Sequence, residues 1–340
     1  MKIIANADTK SFMQRCHANM NDSSKNGYLG MRITEKNEHA IQKRMQKDGF
    51  AEFQQDSSLW PSLFIDSDTW EKSPYHSHIR LDQISDSAFR YETELLQDHE
   101  LFNADEVQAD PNHELNDSMI LRALNKPCSA VLLYQNDEVW MLDAPSESAT
   151  NDRAAAKAHG NMLTFGLGIG YYVYMCLENP AVTSITIVEY SEATIEMFRK
   201  EILPQFPASI PIHIIHGDAF DYYRDSFLSK YDYVYTDIWQ TSADGLLQIE
   251  KLLMQSNQPL DKADFWIENS CMETMWALMM LAFEEIMTSK KANIALQYRP
   301  LMKKIHLVAD SIHETIDNSD QLKFWMYDRQ TLRYILSMNN

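Results

Sequence analysis

Three glycines at alternate positions, Gly166, Gly168 and Gly170, directly follow an apolar segment of the chain. Glycines in such a turn let a ligand lie against the backbone, because no side chain stands in between. A second apolar segment follows about 20 residues further on and ends on Glu189. A carboxylate at the tip of that strand can accept hydrogen bonds from both hydroxyls of a ribose. Together the two segments predict a nucleoside-binding crevice.

Acidic residues also follow two later apolar segments. Asp218, with Ala219 after it, follows the third of these segments, and Asp237 follows the fourth. Ligands of doubly wound sheets bind at the carboxyl ends of the strands, so we expect these residues to share one edge with Glu189. Each acid also has a simpler interpretation. Glu189 would then be a solvated strand end, Asp218 a cap of the next helix, and Asp237 an ordinary turn residue.

The elements that must hold these residues alternate between strand and helix after Pro145. Apolar runs predict strands over 161–165, 184–189, 212–215, 231–236 and 265–267. Helical spacing predicts helices over 153–159, 171–177, 191–204 and 246–254. Such alternation is typical of right-handed crossovers and a parallel sheet, so we predict an α/β fold.

The sequence before this region has a different pattern of residues. Over 1–49 the pattern predicts polar helices. Short β-prone runs predict strands over 78–81, 89–93 and 129–134, and a hairpin between 131–134 and 139–142. A chain of 340 residues is longer than a single hydrophobic core usually serves. We therefore predict a smaller mixed α+β domain over 1–138 and an α/β domain over 139–340.

The composition limits the partners of the protein. The chain carries 49 acidic and 30 basic residues, a net charge of -19, which repels phosphate backbones and anionic membranes. We expect no nucleic acid and no membrane partner, but a small-molecule substrate, a cationic one included, and we allow for a homodimer. The four cysteines are scattered and the first residues turn polar early. Free thiols, no signal peptide and a cytoplasmic location are therefore expected.

Residues 139–250 resemble the nucleoside-binding core of the class I S-adenosylmethionine-dependent methyltransferases. A β-rich N-terminal unit, a strand at 139–143, a helix and the glycine turn come in an order that is similar to the spermidine synthase-like branch of that superfamily. The resemblance implies a Rossmann-like class I methyltransferase sheet with helices on both faces, and S-adenosylmethionine as the cofactor. It also implies roles for the residues above: Gly166, Gly168 and Gly170 on the methionine and ribose side, Glu189 on the ribose hydroxyls, Asp218 and Ala219 on the adenine, and Asp237 as the catalytic acid.

Departures from the family pattern keep several functions open. Methyltransferases usually carry an acid where this chain has Thr164, and aminopropyltransferases carry one where it has Ile169. The run 237–241 also differs from the Asp-Ser-Ser/Thr-Asp-Pro run of the aminopropyltransferases. We expect a methyltransferase that acts on a small molecule. The alternatives are a spermidine synthase-like aminopropyltransferase and a non-catalytic nucleoside-binding protein. An NAD-dependent oxidoreductase is disfavoured, because Tyr171 and Tyr172 stand where the dinucleotide fingerprint has a further glycine.

Two aromatic residues flank Asp237 in the sequence. The ring faces of Tyr235 and Trp239 can attract a cation, although packing beside the sheet is the more frequent role of such side chains. Histidines occur in two pairs, at 76 and 78 and at 213 and 216. A zinc site needs three or four ligands, so we predict no metal site.

Overall fold

The structure is a computed structural model that describes residues 1–84, 88–135, 137–256 and 262–339. Its strands are β1 (Lys2–Ile3), β2 (Phe64–Ile65), β3 (Arg90–Leu96), β4 (Phe102–Asn103), β5 (Leu121–Leu124), β6 (Cys128–Gln135), β7 (Glu138–Asp143), β8 (Gly160–Phe165), β9 (Val182–Glu189), β10 (Ile212–His216), β11 (Tyr233–Thr236), β12 (Ala263–Phe265) and β13 (Thr315–Ile316). Its α-helices are α1 (Ala7–Met20), α2 (Glu38–Lys47), α3 (Ser67–Glu71), α4 (Pro74–His78), α5 (Pro145–Lys157), α6 (Tyr171–Leu177), α7 (Glu192–Met197), α8 (Ala219–Tyr222), α9 (Asp225–Leu228), α10 (Ser242–Leu253), α11 (Glu268–Thr288), α12 (Arg299–Ser311), α13 (Ser319–Tyr327) and α14 (Arg329–Ser337). A π-helical turn, Phe198–Ile202, continues α7.

The central sheet has the strand order β10-β9-β8-β11-β12 within the described residues. All of its neighbouring strands run parallel. The chain moves outward from β8 through β9 and β10, and then returns to the other side of β8 as β11. The strand order therefore reverses beside β8, and open α/β sheets bind their ligands at such a switch point. The predicted α/β fold with a parallel sheet is confirmed.

Alternate side chains of this sheet enter two different cores, because successive residues of a strand point to opposite faces. Leu163, Phe165 and Val234 pack in one buried cluster with side chains of α10, α11 and α14. Met162 and Tyr235 pack in a second cluster with side chains of α5 and α6. The sheet is thus covered by helices on both faces, as predicted.

The N-terminal half contributes to three cores. Residues between 28 and 123 form a small core of their own around Tyr28 and Phe50. The antiparallel sheet β3-β6-β7 packs against the face of the central sheet that carries α5 and α6, through Phe89 and Leu133. At the chain start, β1 pairs parallel with β13, and Phe12 of α1 joins the core of the C-terminal helices. The predicted division at residue 138 stays a prediction.

Local predictions in the N-terminal half had mixed outcomes. The strands predicted at 89–93 and 129–134 overlap β3 and β6, and β6 pairs antiparallel with β7, so the hairpin is confirmed. The strand predicted at 78–81 is wrong, because α4 ends at residue 78 and a 3-10 turn begins at Leu81. Pro74 at the first turn favours the helix.

Cys16, Cys128, Cys176 and Cys271 are buried free thiols, as expected. Burial raises the pKa of the Cys16 and Cys176 thiols to about 12, which makes them poor nucleophiles at neutral pH. Within the described ranges, no helix combines the length and the apolar character needed to cross a bilayer.

Candidate functional site

The glycine turn connects β8 to α6 with a left-handed backbone. The φ angles are +95° at Gly166, +52° at Gly168 and +75° at Gly170. The Gly166 N–H donates to the carbonyl of Val188 (3.0 Å), which ties the turn to β9. The Gly170 N–H donates to the carbonyl of Leu167 (2.9 Å) and closes the turn. Residues with a side chain rarely adopt these φ angles, so the backbone conformation favours glycine at all three positions.

Close packing sets a second requirement for glycine in this turn. A Cβ atom at Gly166 would overlap the backbone carbonyl oxygen of Asp237, and one at Gly170 would overlap the ring of Phe198. In both cases the added Cβ atom would meet an atom of the protein and not the space where a ligand would lie. The glycines are therefore necessary for the fold of the turn, and their presence alone does not demonstrate a ligand.

Glu189 stands at the end of β9, opposite the turn. Its carboxylate accepts one hydrogen bond from the Leu167 N–H (Oε2, 3.0 Å) and one from the Ser191 N–H (Oε1, 2.7 Å). Burial raises the pKa of this carboxyl, and the backbone N–H groups of Ser191, Leu167 and Tyr190 oppose the rise. Since a carboxylate has about four lone-pair positions, these backbone donors leave room for a ligand hydroxyl. Glu189 is thus a fixed, pre-oriented acceptor.

Asp218 stands between β10 and α8. One of its carboxylate oxygens caps α8 by accepting from the Phe220 N–H (2.9 Å). Asp218 and Ala219 also line the same cavity as the glycine turn. The cap interpretation of Asp218 is therefore confirmed, and its second carboxylate oxygen accepts no hydrogen bond from the described part of the chain. The contact of both residues with an adenine stays a prediction.

Asp237 directly follows β11 and lines the cavity. Its carboxylate accepts no hydrogen bond from any residue that the structure describes. Burial and the charges of Glu147 and Glu189 raise the pKa of this carboxyl to about 8. An acid of this kind is mostly protonated at pH 7, and the ionised fraction that can accept a proton grows as the pH rises through 8.

Glu147 on α5 is a neighbour of Asp237 that sequence reasoning missed. The Tyr235 hydroxyl donates to the Asn151 side chain (2.9 Å), and this bond fixes α5 against β11. Glu147 lies one helical turn before Asn151, and Asp237 lies two residues after Tyr235. The two acids therefore lie on the same side of the Tyr235–Asn151 hydrogen bond. Burial and the charge of Asp143 raise the pKa of Glu147 to about 7.

The glycine turn, Glu189, Asp218 and Asp237 meet in one crevice of about 430 Å³ at the switch point of the sheet. Of the residues that the sequence singled out for binding or catalysis, Gly166, Gly168, Glu189, Asp218, Ala219 and Asp237 lie on its wall, whereas Gly170 does not. Sequence reasoning missed Tyr190, whose adjacency to Glu189 was an available signal, and also Trp140 and Met141, which the N-terminal half supplies. A larger cavity of about 580 Å³ lies between the N-terminal half and α5. The arginines on its wall, Arg122 and Arg153, are already paired with acids.

The aromatic residues of the crevice pack as the simpler interpretation predicted. The Tyr235 ring stacks on Tyr172 with centroids 4.0 Å apart, and Trp239 lies 6.1 Å from Phe265. Both predicted aromatic residues are buried, yet both line the cavity. Packing and contact with a ligand are therefore compatible for each of them.

The histidines have structural partners. His76 Nε2 lies 2.9 Å from Asp143 Oδ1, and the rings of His78 and Tyr174 stack. His216 Nε2 lies 3.0 Å from the carbonyl oxygen of Tyr190. No group of three or more histidine, cysteine or acidic side chains able to hold a metal ion occurs in the described residues.

Comparisons with known proteins give only distant similarity. No protein-family model matches the chain, and no curated protein does. Solved structures include a candidate methyltransferase from Porphyromonas gingivalis W83, with 16% identity, a TM-score of 0.25, and coverage of 32% of this chain and 28% of that one. Mycobacterium tuberculosis shikimate dehydrogenase has 13% identity, a TM-score of 0.23, and coverage of 48% and 61%. Human methyltransferase-like protein 13 in complex with SAH has 14% identity, a TM-score of 0.22, and coverage of 56% and 87%.

The chain spans less than two thirds of the length of the first two of these structures. They belong to two enzyme classes, and their TM-scores are low. The comparisons therefore carry no argument about the function, which rests on the geometry of the crevice.

Proposed function

We propose that the crevice binds the adenosyl nucleoside S-adenosylmethionine and that the protein transfers its methyl group to a small-molecule acceptor. One observation carries the proposal: Glu189 is held by two backbone donors directly opposite the glycine turn, at the switch point of a parallel sheet. A carboxylate in this position is the acceptor that a ribose requires. The parallel sheet with helices on both faces is consistent with the fold that the resemblance to class I methyltransferases implies.

The residues present fit such a ligand. The volume of about 430 Å³ lies in the range of small-molecule pockets, which is roughly 300–1,000 Å³. Glu189 would hold the ribose hydroxyls, the glycine turn would contact the ribose and methionine side, and the free Asp218 oxygen together with Ala219 would contact the adenine. Trp140 and Tyr190 add aromatic surface beside these groups.

The main task of the protein in this reaction is to align the acceptor with the methyl group. When bound, the sulfonium supplies an activated alkyl group, so the crevice has to orient the acceptor in line with it and exclude water. An amine or hydroxyl acceptor must also lose a proton. The carboxylate of Asp237, whose pKa is raised to about 8, can take that proton in the fraction of molecules in which it is ionised, and this fraction grows as the pH rises through 8.

A second candidate is aminopropyl transfer from decarboxylated S-adenosylmethionine to an amine, favoured by the charge of the crevice. This chain has no acid at Thr164 or Ile169, where the families it resembles carry one. The acids that line the crevice are Glu189, Asp218 and Asp237. No lysine or arginine is among the described residues that line the crevice. A ligand tail with an ammonium group and no carboxylate suits this environment, because a buried carboxylate needs a partner.

Binding is tested by calorimetry with S-adenosylmethionine and S-adenosylhomocysteine. Glu189→Gln keeps the size of the side chain but removes its charge, so we expect affinity to fall by about tenfold or more. Glu192→Gln, three residues later and exposed, is the matched control and should bind as the wild type does. Wild-type protein that binds neither compound would rule out the proposal.

The nucleoside product separates the remaining alternatives. Methyl transfer yields S-adenosylhomocysteine, and aminopropyl transfer yields methylthioadenosine. Incubation of each sulfonium with a panel of amines, followed by chromatography of the nucleosides, distinguishes the two. Tight binding with neither product from any acceptor would favour the non-catalytic alternative.

A further inference from the structure

A tyrosine from the N-terminal half reaches the backbone of the glycine turn. The Tyr75 hydroxyl donates a hydrogen bond to the carbonyl oxygen of Ile169 (2.7 Å). Both residues are buried, with exposed fractions of 0% for Tyr75 and 3% for Ile169. Ile169 stands between the second and third glycines of the turn. The residue whose side chain departs from the family pattern is therefore held through its main chain.

Tyr75 is itself held in place from two sides. Its ring packs edge-on against Tyr171 and Tyr174 of α6, with centroids 5.1 Å and 5.5 Å apart. The next residue of α4, His76, lies 2.9 Å from Asp143 at the end of β7. Its other ring nitrogen lies 2.6 Å from the Ser73 hydroxyl. The short helix α4 is thus anchored to β7 and to α6 at the same time.

The hydrogen bond acts on the flexible part of the turn. Gly168 and Gly170 flank Ile169, and glycine has the largest backbone freedom of all residues. The Leu167 N–H is bound to Glu189, and the Gly170 N–H closes the turn onto Leu167. The Ile169 carbonyl and the Gly170 N–H belong to the same peptide unit, so the Tyr75 bond holds from one side the unit that the Gly170 bond holds from the other.

We propose that Tyr75 is a positioning residue that pre-organises the glycine turn for its ligand. This inference rests on the proposed function, because the ligand is the adenosyl nucleoside. Without the hydroxyl, binding would have to order the turn, and that cost would appear as lost affinity. The N-terminal half of the chain thereby takes part in nucleoside binding without touching the nucleoside.

The test compares two tyrosine variants. Tyr75→Phe keeps the ring against α6 and removes only the hydroxyl, so we expect the dissociation constant for S-adenosylhomocysteine to rise about fivefold or more, the equivalent of one hydrogen bond. Tyr233→Phe is the matched control, since its buried hydroxyl bonds Asp264 (2.7 Å) at the far end of β11. Its affinity should equal that of the wild type.

Hydrogen exchange of the ligand-free protein gives a second readout that needs no ligand. We expect the Gly170 amide to exchange faster in Tyr75→Phe than in Tyr233→Phe, while amides of β9 exchange equally in both. Asp143→Asn, which weakens the anchor of α4, should raise the dissociation constant in the same direction and covers the case in which Tyr75→Phe fails to fold.

The outcomes separate the two proposals. A wild-type protein that binds no adenosyl nucleoside defeats the proposed function, and the exchange of Gly170 then still tests the positioning of the turn. A wild type that binds, with Tyr75→Phe equal to it in affinity and in exchange, defeats the role of Tyr75 alone. Equal losses in Tyr75→Phe and Tyr233→Phe also overturn it, because they would reflect general destabilisation.

Discussion

At the level of single residues, Asp237 links the site to the stability of the protein. An aspartate in an unfolded chain loses its proton near pH 4, whereas Asp237 in the folded protein keeps it until about pH 8 because of burial, Glu147 and Glu189. Between these values the folded state binds more protons than the unfolded state. The stabilisation is therefore complete below about pH 4 and is lost as the pH rises through 8.

Asp237→Asn removes this dependence, because the amide does not titrate. One pKa unit corresponds to about 1.4 kcal/mol, and water in the open crevice reduces the effect. We expect the variant to gain stability relative to the wild type as the pH rises. The difference in the free energy of unfolding, variant minus wild type, should be larger at pH 9 than at pH 5 by on the order of 2 kcal/mol. Urea denaturation at both pH values measures the difference. A constant difference would show that Asp237 is ionised throughout.

The sequence predicted where the acidic residues lie in the sheet, but not which side chains of other elements face them. The sequence predicts that Glu189, Asp218 and Asp237 lie at one edge of the sheet, because each follows the end of an apolar run that predicts a strand. The sequence does not display which helix faces that edge. The charge of Glu147 on α5 acts on Asp237, and the Tyr235–Asn151 bond that fixes α5 against β11 joins positions 84 residues apart.

At the level of elements, the glycine turn offers a prediction about folding rather than binding. Gly166→Ala places a Cβ atom against the backbone oxygen of Asp237 at a φ of +95°, and backbone cannot move aside as a side chain can. Gly30→Ala is the matched control, because Gly30 has a φ of +73° and no atom near the added Cβ.

We expect Gly30→Ala to lower the free energy of unfolding by roughly 1–2 kcal/mol through backbone strain alone. Gly166→Ala should cost about 2 kcal/mol more, because the clash is added to the strain. Urea denaturation without ligand measures both values. Equal losses in the two variants would mean that β8 and β11 separate easily at this edge.

Elements were predictable where local periodicity decides the structure. The alternation of strand and helix after Pro145 follows from apolar runs and caps, such as the Ser191 hydroxyl that caps α7. The strand predicted at 78–81 failed because contacts distant in sequence decide this region. His76 bonds Asp143, and Tyr75 bonds Ile169, and both bonds hold a helix in a segment that otherwise reads as β-prone.

At the level of the whole molecule, distant segments complete the same cores. The strand β1 pairs with β13 across more than 300 residues of chain, and α1 packs with α11 and α13 in the C-terminal core. Nothing in the local pattern of residues 1–20 indicates this partner, because an amphipathic helix shows that it is covered but not by which element. Arrangements of this kind become visible only in the folded chain.

The C-terminal helices are tied to the sheet by a buried ion network. Arg333 of α14, 1% exposed at its side chain, donates two hydrogen bonds of 2.6 Å to the two oxygens of Glu268, at the start of α11. Arg329 bonds both Glu268 and Asp264. Burial alone would raise the pKa of Glu268, but the two arginines hold it below its ordinary value.

Arg333→Met tests how much the network contributes. Methionine keeps apolar contact with the Phe265 ring, over which the guanidinium lies at 4.9 Å, but leaves Glu268 with one partner fewer in a buried place. We expect a loss of about 3–5 kcal/mol, since a buried charge that loses its partner keeps its desolvation cost. Lys126→Met breaks an exposed pair with Asp68 and should leave the urea midpoint unchanged. A small loss in Arg333→Met, similar to that of the exposed pair, would mean that Arg329 alone compensates Glu268 and that α14 is held by apolar packing.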